Sequence, residues 1–76
     1  MTPSQTYGVT TFEPRETVRL DCPFNPHIVR VEQMTSAGWA EYTWASIRLE
    51  GKTVVLLGLP RGRYRVTVLG LDDPKE

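Results

Sequence analysis

The sequence predicts an all-β protein, a small antiparallel β-sandwich with an extended N-terminal arm. Three observations point there. Large apolar residues recur with a period of two in five separate segments. Turns rich in Gly and Pro divide those segments at intervals of about ten residues. No stretch of about ten residues or more carries the i, i+3, i+4, i+7 spacing of an amphipathic helix. The same pattern also fits a partly open barrel.

Taken in order, residues 1–16 stand apart. They hold Thr2, Ser4, Thr6, Thr10, Thr11, Pro3 and Pro14, with only Tyr7, Val9 and Phe12 as large apolar groups. Such a segment gains little by folding alone. Either it frays, as chain ends do, or it is an arm that anchors Tyr7, Val9 and Phe12 on a neighbouring surface and adds a strand there. From Thr17 to Cys22 the alternation of Val18, Leu20 and Cys22 with Arg19 and Asp21 reads as a half-buried strand, with Cys22 as small core filler. The connection Pro23-Phe24-Asn25-Pro26-His27 has two prolines, which suits neither a helix nor a central strand. Ile28 to Met34 resumes the alternation, with Val29 and Val31 on one side and Arg30 and Glu32 on the other.

Thr35-Ser36-Ala37-Gly38 is a turn cluster. Trp39 to Leu49 reads as one long strand, yet Tyr42 and Trp44 fall on one parity and Ile47 and Leu49 on the other. Both faces are then buried, or a bulge near Ala45-Ser46 shifts the register by one. The bulge is preferred, because Thr43, Ala45 and Ser46 are too small or too polar to build a second core face. Glu50-Gly51 reads as a tight hairpin that pairs Ile47 with Val54. The strand Lys52 to Leu57 is apolar on both faces: it lies between two layers or offers Val55 and Leu57 to a partner. After Gly58 to Gly62, the last strand runs from Arg63 to Leu69, with Tyr64, Val66 and Val68 inward. The body is thus residues 17–70, followed by a polar tail, residues 71–76.

The run Leu59-Pro60-Arg61-Gly62-Arg63-Tyr64-Arg65-Val66-Thr67-Val68 resembles the L-P-x-G-x-Y-x-V-x-V signature of prealbumin-like and related immunoglobulin-like sandwiches. The resemblance implies that Gly62 makes the tight turn into a late strand. It also implies that Tyr64 covers the edge of the core and that Val66 and Val68 line it. Such modules have about seven strands, so an edge strand is missing from the five read here, supplied by residues 7–12 or by a neighbouring chain. The resemblance also implies a scaffold or adhesion role, of the kind these modules serve in surface proteins and phage virions.

Composition bounds the chemistry. With 76 residues the chain is one small domain. Nine basic residues balance nine acidic ones, so there is no bulk attraction to nucleic acid or to an anionic membrane. No apolar run is long enough to cross a bilayer, and no leader pattern opens the sequence, which sets the expected compartment as the cytoplasm of the producing cell or a virion made there. One Cys and one His leave no zinc spacing. Cys22 and His27 are the one nucleophile-base combination, and Cys22 sits on the buried parity, where a thiolate is disfavoured. Asp72, Asp73 and Glu76 read as a solvated tail rather than a cation site. No cofactor, metal or catalytic group is expected.

Two surfaces remain. Arg61, Arg63 and Arg65, with Trp39, Tyr42, Trp44 and Phe24 as stacking platforms, would suit single-stranded nucleic acid. Yet Arg63 and Arg65 face away from Tyr64. Chains below about 80 residues commonly need a disulfide, a metal or a partner, and the first two are unavailable here. The expectation is therefore a non-enzymatic assembly protein that binds other subunits or itself as part of an oligomer, most simply a capsid decoration or tail accessory protein. Tyr7, Val9, Phe12, Trp39, Trp44, Val55 and Leu57 are its interface candidates. A small regulator that binds a host enzyme makes the same demands on the surface.

Overall fold

The computed structural model describes residues 3–70. They form seven strands and no helix: β1 (Ser4–Thr11), β2 (Glu16–Asp21), β3 (Pro26–Thr35), β4 (Gly38–Glu41), β5 (Ser46–Glu50), β6 (Thr53–Leu59) and β7 (Gly62–Gly70). Every pairing is antiparallel. One sheet has the order β1-β7-β3-β4 and the other β2-β6-β5. Val9, Val31, Tyr64, Val66 and Val68 of the first sheet pack with Cys22, Val54, Leu56 and Leu59 of the second in one core cluster. The architecture is therefore a small β-sandwich. The divalent-cation candidates Asp72, Asp73 and Glu76 lie outside the described residues.

The N-terminal segment is extended, but it does not reach outward. Ser4 to Thr11 pairs along its whole length with β7, from Ser4 opposite Leu69 to Thr11 opposite Gly62. This places the missing edge strand within the chain. Its inward parity, Tyr7, Val9 and Thr11, faces the core, so Tyr7 and Val9 are not arm contacts. Val9 is buried. The Tyr7 hydroxyl donates to the Asp21 carbonyl at 3.0 Å, tying β1 across to the end of β2. Thr11, fully buried, donates to the Pro60 carbonyl at 2.6 Å. Phe12 and Glu13 begin the following turn, where both backbone N–H groups donate to the Glu16 carboxylate, at 3.1 and 3.3 Å.

The parity conflict between Trp39 and Leu49 has a different cause from a bulge. β4 and β5 belong to different sheets, and residues 42–45 carry the chain from one to the other. Tyr42 thus follows the parity of β4, while Ile47 and Leu49 share one parity within β5. The hairpin after β5 is also displaced by one residue: Glu50 pairs with Thr53 and Ile47 with Leu56, so Gly51 and Lys52 form the loop. Gly51 has φ +64°, the left-handed conformation that a two-residue hairpin loop favours and that costs glycine little. The pairing sum changes by two, so Ile47 and Leu49 still share a face with Val54 and Leu56.

A second glycine does more. Between Val18, opposite Leu56, and Glu16, opposite Leu59, β6 advances three residues while β2 advances two. Gly58 sits in this bulge with φ +66°, as a glycine bulge requires. Without the extra residue Leu59 would share the outward parity of Val55 and Leu57. With it, Leu59 turns inward and is fully buried, a contribution of about 1.5–3 kcal/mol.

Tyr64 closes the core at this end. It is almost fully buried, its hydroxyl donates to the Pro60 carbonyl at 2.8 Å, and the Gln33 side-chain amide donates to it at 3.4 Å. The Tyr42 ring meets it edge-on, with centroids 5.6 Å apart. Burial, then the neighbouring Tyr42, raises the Tyr64 phenol above its ordinary value. The Cys22 thiol beside Tyr7, then desolvation, pushes the Tyr7 phenol from 10.0 up to about 12.

Replacing Gly58 by Val should destabilise the fold by about 1–3 kcal/mol, since a β-branched residue must then adopt the left-handed conformation. Chemical denaturation checks this, and Gly8→Val supplies the contrast, because a Cβ at Gly8 meets open space in an ordinary strand. The two tyrosines set an alkaline limit. Their phenols are harder to ionise in the fold than in the unfolded chain. The stability this gives is complete below the unfolded value of 10.0 and is lost as the pH rises toward about 12. A thermal-melting series should therefore stay flat from neutral pH to about 9 and fall beyond 10, with a shallower fall in Tyr7→Phe. A fall beyond pH 10 that is equally steep in Tyr7→Phe would contradict this.

Candidate interaction surface

The outer face of the three-stranded sheet is closed by its own charges. Val55 pairs with Arg19 on one side and Arg48 on the other. Both guanidiniums turn to one carboxylate, Arg19 to Glu50 at 3.3 Å and Arg48 to Glu50 at 3.5 Å. This draws the arginine stems across the sheet, and Val55 is only 1% exposed. The ion pairs themselves are exposed and worth about 0–1 kcal/mol each. Their effect is to hold apolar stems over an apolar side chain. Val55 is therefore covered from within and is not an interface anchor. Leu57, one step along the same face and opposite Ser46, is half-buried.

The outer face of the four-stranded sheet carries the arginine run. Arg65 donates to the Glu32 carboxylate at 2.9 Å and lies over the Trp39 ring at 4.6 Å from its centroid, a cation-π contact. Arg63 shares this face, while Arg61 lies in the turn before β7. Gly8 lies opposite Arg65 and floors a shallow notch between Thr10, Arg63, Arg65 and Trp39. Arg63, Arg65 and Trp39 are thus neighbours, which β7 alone does not reveal, because Trp39 arrives on β4.

The third surface is the side where the sandwich is open. β4 pairs with β3 only from Glu32 to Thr35. The last rung is Tyr42, whose N–H donates to the Val31 carbonyl at 2.8 Å. Beyond it the chain leaves for the other sheet, so β3 from His27 to Arg30 has β7 on one side and no strand on the other. Backbone groups alternate along a strand. Since the Val31 carbonyl points toward β4, the N–H and C=O of Val29 point the same way, into a cleft of about 580 Å³ lined by Ile28, Val29, Tyr42, Ala45 and Ile47 among others. Ile28 is 52% exposed at its rim, and Ile47 of β5 lines it and is exposed as well. Trp44, on the linker that borders the cleft, is 84% exposed.

The expected interface residues therefore do not form one patch. Tyr7 and Val9 belong to the sandwich interior, Val55 is roofed over, and Leu57 lies on the far sheet. Phe12 is 74% exposed but stands alone at the turn after β1. Trp39 lies under Arg65. Trp44 stands exposed on the linker between the sheets, whose neighbouring residues Thr43 and Ala45 line the cleft. Ile28 and Ile47 line the cleft without having been singled out by the sequence. One signal marks Ile28: it is an aliphatic residue on the parity of Arg30 and Glu32. Cys22 is buried and His27 exposed, and among the described residues no group of three or more potential metal ligands occurs.

An apolar cleft beside unpaired backbone donors and acceptors recognises an extended strand, which supplies hydrogen bonds along the edge and apolar side chains to fill the cleft. Because Trp44 adds nothing to the core, Trp44→Ser should change unfolding stability by no more than about 0.5 kcal/mol. Leu56→Ala in the same denaturation experiment should cost about 2–5 kcal/mol. A large loss in Trp44→Ser would show that the indole packs on its own chain.

Comparison with protein-family models, with curated proteins and with solved structures finds no match for the chain.

Proposed function

We propose that the protein is a non-enzymatic assembly module that binds and stabilises neighbouring protein subunits, placed in a virion as a capsid decoration or tail accessory protein. The observation that carries this reading is the open side of the sandwich. There Ile28 and Ile47 line the cleft and remain exposed beside the unpaired stretch of β3. Exposed apolar groups gathered at one place mark interaction sites, whereas scattered ones carry no such meaning. An edge left unpaired is a liability unless something covers it. Work done by such a module is mechanical: it stabilises the assembled state by binding it in preference to the separate parts.

Single-stranded nucleic acid is the weaker reading. Arg63 and Arg65 beside Trp39 favour it, but Glu32 already neutralises Arg65, and the chain as a whole has zero net charge. The assembly reading is tested on particles from the source culture, banded on a density gradient and washed at high salt. The chain should remain with the particle band in fixed proportion to the major shell or tail protein. Recovery only among free, small proteins would refute it.

A further inference from the structure

We infer that the notch over Gly8, on the outer face of the four-stranded sheet, takes a single acidic side chain, Asp or Glu, of a partner protein, gripped by Arg65 and Arg63. That the partner is a protein rests on the assembly reading. The site itself shares no lining residue with the cleft beside β3.

Arg65 is held ready for such a group. Its Nε–H donates to the Glu32 carboxylate at 2.9 Å, and its guanidinium lies over the Trp39 ring, 4.6 Å from the centroid. These two contacts fix the plane of the fork. Its terminal Nη groups have no acceptor among the described residues. A guanidinium already held in one plane offers a carboxylate parallel N–H bonds and loses little further freedom in making them. Arg63 follows Thr10 across the same face. It is exposed, and among the described residues it has no ion-pair partner.

The notch between these arginines measures about 200 Å³, and no acidic side chain lines it. Thr6, Thr10 and Trp39 complete its walls. Its floor is bare because Gly8, opposite Arg65, has no side chain, and a Cβ there would meet nothing within 4 Å. A larger residue at position 8 would stand in the space that the ligand needs.

Charge sets the class of occupant. Two guanidiniums against the one carboxylate of Glu32 leave a single positive charge at the notch, which one further carboxylate balances. A polyanion suits this face poorly. Glu32 and Glu41 stand opposite each other on it, with Glu41 two residues from Trp39 along β4. A nucleic-acid strand that stacked a base on Trp39 would bring its phosphates against both. Arginine clusters are common readers of acidic motifs, and Trp and Arg are enriched among the residues that dominate protein interfaces.

Titration of the isotope-labelled chain at low salt, followed by amide and indole N–H shifts, tests this. The probes are the blocked peptide Ser-Ala-Glu-Ala-Ser, its counterpart with Gln for Glu, and an oligothymidylate. The Glu peptide should shift Gly8, Thr10, Arg63, Arg65 and the Trp39 indole with a Kd of about 1 mM. The Gln peptide should bind at least about tenfold more weakly, as loss of a charge-assisted pair does. Gly8→Val fills the notch and leaves both arginines in place, whereas Arg63→Gln removes a charge and leaves the notch open. Each should weaken the Glu peptide about fivefold or more with thermal melting unchanged, and Arg63→Gln serves alone if Val at position 8 disturbs the strand. No shift at the notch up to about 10 mM peptide, equal binding of the Gln peptide, or Glu-peptide binding indifferent to both variants overturns the inference. So does an oligothymidylate that binds the same residues more tightly than the peptide. A chain that bands with particles yet takes up no Glu peptide keeps the assembly reading and loses this site. Uptake of the Glu peptide by a chain that never bands does the reverse.

Discussion

Two hydroxyls meet at one carbonyl. The backbone oxygen of Pro60 accepts from Tyr64, four residues ahead in the chain, and from Thr11, at the far end of β1. The first bond shapes the turn from β6 into β7 around the ring that closes the core. The second fixes the end of β1 to that turn. Pro60 has no N–H of its own to pair, so its carbonyl is the polar group to be satisfied at this buried corner. Satisfying it with Thr11 determines where the N-terminal strand lies. Once β1 is fixed at this end, and Tyr7 is tied to Asp21 near the other, the edge of β7 is covered and Val9 has a core to enter. The buried polar side chains among the described residues all have partners, which keeps this corner from becoming a source of instability.

Much of this was legible in the sequence, where a single strand carries its own signal. The alternations around Val18, Val31 and Val66 each located a strand to within a residue or two, because period-two burial is a local property. What could not be read were relations between distant segments. Thr11 is one more small polar residue in a polar stretch until Pro60 is beside it. The conflict of parity between Tyr42 and Leu49 was visible, yet a bulge and a change of sheet leave the same trace in one strand, and only the partners distinguish them. Val55 and Leu57 gave an apolar outer face, but the cover over Val55 depends on Arg19 and Arg48 meeting Glu50 across three strands. The sequence pattern showed an arginine on each flanking strand without showing that one carboxylate gathers them.

The candidate site illustrates the same limit from the other direction. It consists of what β4 does not do. Because Tyr42 turns inward against Tyr64, the chain departs for the second sheet early, and β3 is left with one side open along its first half. The exposure of Ile28 and Ile47 at the cleft follows from that departure and not from any unusual residue. The aromatic groups that drew notice in the sequence are dispersed by the fold: Trp39 serves as a platform for Arg65, and Trp44 stands exposed on the linker between the sheets. A small domain thus closes one corner of its core by a latch and covers Val55 on its outer face, while an apolar cleft stays open beside β3. The open stretch of β3 beside this cleft is the physical basis for the proposed role in assembly.

This account depends on β1 being a permanent strand of the sandwich, and residue-resolved hydrogen exchange measures that directly. The amides of β1 that face β7 should exchange only through the same global opening as those between β3 and β7, with matching protection and matching sensitivity to denaturant. If β1 amides instead exchange nearly as fast as in an unfolded chain while β3 and β7 remain protected, the N-terminal segment is a free arm, the Pro60 corner does not hold it, and the account of which surface is open is wrong.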